Sequence, residues 1–171
     1  MKDIKRLFCA IQITPTNALN EAIEQFSTIQ DYGLVTWVSP HDLHVTIQFF
    51  GNTPNTQVSQ LLRALKATAT HCNPFEIDIN GCGSFWGTKM NSVLWFGVSP
   101  NKDLHELYNN MAFNLTQERF PCEGKQFIPH LTFARIRKVN SEKNIERLLE
   151  KNKKVPFVKL FRFMSGKGQK H

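Results

Sequence analysis

No apolar run in this chain approaches the roughly 20 residues that span a bilayer, because Gln, Thr, Pro or Gly cuts each candidate short. Membrane insertion is therefore not expected. The charged start Met1 to Arg6 is followed by a brief apolar stretch, Leu7 to Ile13, interrupted by Gln12, which suits a first β-strand better than a signal peptide. The sequence also lacks any C-x-x-C spacing. Cys9, Cys72, Cys82 and Cys122 lie far apart and read as small reduced core residues of a cytoplasmic protein. Acidic residues are scarce, 14 against 21 Lys and Arg, for a formal charge of +7. That balance favours a polyanionic partner such as a nucleic acid, although the excess in Arg135 to Lys138, Lys151 to Lys154 and the Lys167 to His171 tail also fits a solvated face.

What is present is enough for a packed core. Fourteen Phe and three Trp, with 41% hydrophobic residues in 171, exclude a disordered chain. The whole length, 1–171, is expected to form a single domain.

Leu7 to Ile13 reads as a strand, Ala18 to Ile29 as a helix with Leu19, Ala22, Ile23 and Phe26 on one side, and Leu34 to Val38 and Leu43 to Phe50 as two further strands. Gly51-Asn52-Thr53-Pro54 breaks the pattern before a helix carrying Val58, Leu61, Leu62 and Leu65. The second half repeats this order loosely. Phe75 to Ile79 and Ser92 to Val98 read as strands, Leu104 to Phe120 as a helix, and Ile128 to Ile136 as a strand. A charged helix from Ser141 to Glu150 and a last strand from Val155 to Met164 follow. Two such halves imply two lobes sharing a cleft.

One pattern occurs twice: His44-Val45-Thr46-Ile47 and His130-Leu131-Thr132-Phe133. A lone strand histidine is more often a satisfied surface or core residue than a catalyst. Two copies with matching neighbours, on corresponding strands of two half-domains, change that judgement. Because side chains alternate along a strand, each His and its Thr share one face while the residues between them point to the core. Such pairs suit displacement at phosphorus. Histidine titrates near pH ~6.5, so one neutral and one protonated imidazole can coexist and move protons on opposite sides of the phosphate, while two hydroxyls hold its non-bridging oxygens. No metal or other cofactor is required, and a zinc site is disfavoured because no Cys, Asp or Glu stands at ligand spacing.

These motifs, with Arg6-Leu7-Phe8-Cys9-Ala10-Ile11, Trp37-Val38-Ser39-Pro40 and the flanks Gln48-Phe49-Phe50-Gly51 and Pro129 and Ala134-Arg135, make the chain resemble the 2H phosphoesterase superfamily. Within it, the nearest likeness is to the RNA 2′,3′-cyclic phosphodiesterases once named 2′-5′ RNA ligases. The resemblance implies an α+β, bilobal fold: two pseudo-symmetric antiparallel-sheet lobes with outer helices around a central cleft. It implies His44 as proton donor, His130 as proton acceptor, and Thr46, Thr132 and Arg135 as phosphate contacts. Arg135 is an odd number of residues from His130, so a bulge or strand end must turn it inward. The resemblance also implies one more strand beyond residues 163–168, whereas this chain ends at His171; an uncovered sheet edge is the expectation.

Phe8 could stack a nucleobase or belong to the core. Gln48 shares the ideal-strand face of His44 and Thr46. Phe49 and Phe50 read as core, and Trp37, Trp86 and Trp95 as packing or lobe-interface residues. The expected partner is RNA with 2′,3′-cyclic phosphate ends, or small cyclic nucleotides, handled by a monomer and hydrolysed to 2′-phosphomonoesters. Hydrolysis of 2′-5′ linkages, the reverse ligation, and a non-catalytic nucleotide- or RNA-binding module remain alternatives.

Overall fold

The computed structural model describes residues 3–87, 92–121, 126–153 and, as backbone, 158–163. Among these, seven strands and four helices follow one another: β1 (Ile4–Gln12), α1 (Asn17–Glu24), β2 (Gly33–Trp37), β3 (His44–Pro54), α2 (Asn55–Thr70), β4 (Phe75–Phe85), β5 (Ser92–Val98), α3 (Lys102–Gln117), β6 (His130–Val139), α4 (Glu142–Asn152) and β7 (Val158–Phe163). The fold is α+β, and every strand pairing among them is antiparallel. No helix among the described residues is long and apolar enough to cross a membrane.

The sheet runs β1-β3-β6-β5-β4-β7, with β2 also on β6. Its two halves meet at a single pair, Val45 opposite Leu131. From Ala134 onward the same edge of β6 is taken by β2. The lobes are thus interleaved, since β2 comes from the first half of the sequence and pairs only within the second lobe. Gly33 lets this happen. A Cβ there would collide with the Lys138 carbonyl oxygen, so only glycine allows β2 to approach β6 so closely.

Side-chain caps open two of the four α-helices. The Thr16 hydroxyl accepts a hydrogen bond from the Leu19 N–H at 3.2 Å and opens α1, and the Asn101 side chain does the same for α3 through the Leu104 N–H at 2.9 Å. The first helix is shorter than expected. It ends at Glu24, and Ser27–Tyr32 continues as a 3₁₀ helix, which still buries Phe26 and Ile29. Two strands outrun their expected ends, β3 through the breaker at Gly51 and β4 beyond Ile79. Gly51 and Gly81 adopt φ of 65° and 71° at irregularities in the β1–β3 and β4–β5 ladders. Each absorbs an extra residue as a bulge, so β3 reaches Pro54 and β4 reaches Phe85.

Alternation places Val45, Ile47, Leu131 and Phe133 in the core, all essentially buried. Phe133 lies 4.4 Å from Phe96 and 4.9 Å from Phe26, centroid to centroid. The described cysteines are free. Burial raises the thiol pKa of Cys9 and Cys72, and that of Cys82 to about 11, so all three stay protonated at neutral pH. Cys122 and the 164–171 tail lie outside the described residues. Strands β1 and β7 are the outer members of the sheet order.

Two phenylalanines on matching strands should respond differently to truncation. Phe133→Ala should cost about 3–5 kcal/mol of unfolding free energy, while Phe49→Ala, at a largely exposed position, should stay within about 0.5 kcal/mol. Urea denaturation of the two variants beside the parent checks this.

Candidate active site

The Val45–Leu131 pair positions the site. Carrying its antiparallel register one residue in each direction sets His44 across from Thr132 and Thr46 across from His130. All four lie on the face opposite the buried Val45 and Leu131. The two imidazoles are diagonal, as are the two hydroxyls. With ~3.4 Å rise per residue and ~4.8 Å between strands, the histidine Cα atoms stand about 8 Å apart. A group the size of phosphate fits between their side chains, with a hydroxyl at each remaining corner.

Each imidazole is fixed in the same way. His44 Nδ1 lies 2.5 Å from the Asp42 carbonyl oxygen, and His130 Nδ1 lies 2.7 Å from the Ile128 carbonyl oxygen. A carbonyl only accepts, so Nδ1 carries the proton in both rings. Nε2 is left as the working atom, a lone pair in the neutral ring and a donor in the charged one. Aromatic neighbours limit ring motion further. Phe8 stacks on His44 at 5.2 Å, while Phe85 meets His130 edge-on at 5.0 Å and Trp95 stands 6.2 Å away.

Beyond the motifs, the two strands repeat one irregularity. In β3 the ladder to β1 shifts so that Ile47 is the extra residue; in β6 the ladder to β5 shifts so that Phe133 is. Both strands therefore bury two consecutive residues, Ile47 with Gln48 and Phe133 with Ala134. The next residue returns to the open face. On β6 that residue is Arg135, which an ideal strand would have turned away, and which now shares the exposed side with His130 and Thr132.

The same bulge corrects two expectations on β3. Gln48 is buried rather than beside Thr46, and its Nε2 donates to the Phe49 carbonyl oxygen at 3.2 Å. Phe49 is not core but 60% exposed, at the position equivalent to Arg135. Phe50 does pack inward, edge-on to Phe120 at 5.7 Å. Phe8 is exposed and belongs to the site side of β1 rather than to the core. Trp37 and Trp86 each keep about a third of their surface exposed, and Trp37 lies over Phe133 at 6.4 Å. Phe85 and the carbonyls of Asp42 and Ile128 were not foreseen. Each carbonyl holds the histidine two residues later, Phe85 reaches His130 from a strand of the same sheet, and no motif marks these contacts.

Past Thr46 and His130 the strands diverge and leave an open cleft of 740 Å³ between the later part of β3 and the segment preceding β6. Among the described residues no three His, Cys, Asp or Glu side chains converge closely enough to hold a metal ion.

Known proteins resemble this chain over most of its length. The model of the 2′-5′ RNA ligase superfamily matches residues 15–161. The RNA 2′,3′-cyclic phosphodiesterase of Aquifex aeolicus (strain VF5) is 31% identical over 145 residues, 83% of this chain and 77% of that protein. Its namesake from Methanocaldococcus jannaschii is 28% identical over 152 residues, 89% of this chain and 83% of that protein. The crystal structure of TT0787 of Thermus thermophilus superposes with a TM-score of 0.62 at 23% identity, covering 93% of this chain and 82% of that one, which speaks for the fold alone. With the family match spanning both His-x-Thr strands and most of the sequence, this chain belongs to the 2′-5′ RNA ligase superfamily.

Proposed function

We propose that this protein hydrolyses 2′,3′-cyclic phosphate ends of RNA to 2′-phosphomonoesters, by acid–base catalysis between His130 and His44 and without a metal ion. The observation that carries the reading is the square of two imidazoles and two hydroxyls, with both Nδ1 atoms tied to backbone carbonyls. The names of the relatives support the substrate class.

In this mechanism His130 Nε2 takes a proton from water as the water oxygen attacks phosphorus. The bond from phosphorus to O3′ breaks, and His44 Nε2–H delivers its proton to O3′. The product carries a 2′-phosphate and a 3′-hydroxyl, and the two rings have exchanged protonation states until solvent resets them. Thr46 and Thr132 donate to the non-bridging oxygens as charge builds on them. Arg135 adds a charge-assisted contact from the end of the same face, and Phe8, beside His44, is available to stack the base of the terminal nucleotide. Residues 1–171 act as one domain and a monomer, because all four groups come from a single chain and β2 ties its two halves together. The location is cytoplasmic, in keeping with the free thiols.

Replacing either histidine should lower kcat by about 100- to 10,000-fold. His44→Ala and His130→Ala, assayed on RNA with a cyclic phosphate end, check the assignment; turnover close to the parent's in either variant overturns it. Thr46→Val and Thr132→Val should each lower kcat by about 100-fold or more, with unchanged melting temperature. Excess EDTA should leave the parent's rate unchanged, and the product, resolved by chromatography, should be the 2′-phosphomonoester.

A further inference from the structure

The grip on phosphorus occupies only one end of the cleft. Thr46 and His130 lie at that end, and the cleft continues past them between Phe49, Phe85, Phe127, Ile128, Gln126 and Arg6. Three of these, Phe49, Phe85 and Ile128, are large apolar side chains left exposed to solvent. Convergence of exposed aromatic surface on one groove points to a ligand with flat apolar faces.

Phe127 is held rigidly for such a role. It stacks on Tyr108 with centroids 4.5 Å apart and rings 3° from parallel, and His105 meets it edge-on at 5.6 Å. Phe49 stands opposite Phe8 on the neighbouring strand, 6.0 Å from it.

Arg6 sets the length of the ligand. On β1, Ala10 is the partner of Thr46 and Arg6 that of Asn52. The four residues from Ala10 to Arg6 span about 13 Å at ~3.3 Å each. A guanidinium based that far away reaches a different anion from the one held between the histidines. On an RNA end that second anion is the phosphodiester linking the terminal nucleotide to its 5′ neighbour. A cyclic mononucleotide has none.

We propose that the cleft beyond Thr46 and His130 is a subsite for the nucleotide on the 5′ side of the cyclic-phosphate terminus, its base against Phe49 and Phe127 and its linking phosphate on Arg6. The preferred substrate is thus an oligonucleotide end rather than a cyclic mononucleotide. This rests on the function proposed above.

The test compares cytidine 2′,3′-cyclic monophosphate with a dinucleotide ending in the same cyclic phosphate. The parent should turn over the dinucleotide with kcat/KM at least ~10-fold higher, the effect of stacking one base. Phe49→Ala and Arg6→Gln should bring the dinucleotide down to the mononucleotide level while leaving the mononucleotide rate unchanged. Equal kcat/KM for both substrates in the parent overturns the subsite, as do variants that slow both equally. If the parent cleaves neither, the proposed hydrolysis fails, and calorimetric titration with the two 2′-phosphorylated products decides the subsite alone. Tighter binding of the dinucleotide, lost in Arg6→Gln and Phe49→Ala, upholds it; equal binding overturns it.

Discussion

A single strand contact, Val45 against Leu131, is the constraint on which the site depends. Both side chains are fully buried, and they anchor the two strands at the one register pair of β3 with β6 among the described residues. Because an antiparallel register pairs each His with the opposite Thr, two copies of a short motif become one four-cornered site. A slip of one residue in either strand would turn its motif into the core and bury an imidazole. Hydrophobic burial beneath the sheet therefore enforces the polar geometry above it.

The bulges after each motif add a second layer of order. Strict alternation would have hidden Arg135 and Phe49; the extra residues Phe133 and Ile47 return them to the open face. The backbones of the two strands thus repeat one another, while the exposed residue after the bulge is a cation on one and an aromatic ring on the other. A duplicated frame gains unlike walls in this way, one suited to phosphate and one to a flat apolar surface.

Sequence periodicity revealed every strand and α-helix among the described residues, but their limits less well. Gly51 looked like a stop and proved to be a bulge position inside a longer strand, and β4 runs past its expected end at Ile79 through a second bulge at Gly81. The first helix gave way to a 3₁₀ turn at Ser27 because burying Phe26 and Ile29 does not require α-helical hydrogen bonding. The crossing of β2 into the second lobe was hidden, since no local pattern records which distant strand a short apolar segment will join.

The sequence by itself determined the identity and pairing of the chemical groups: two His-x-Thr motifs in strands, with apolar residues between that can face only a core. Which atoms meet was decided by tertiary structure. The diagonal of imidazoles, the exposure of Phe49 and Arg135 and the cleft beyond them follow from strand register and bulges, which arise between segments far apart in the chain.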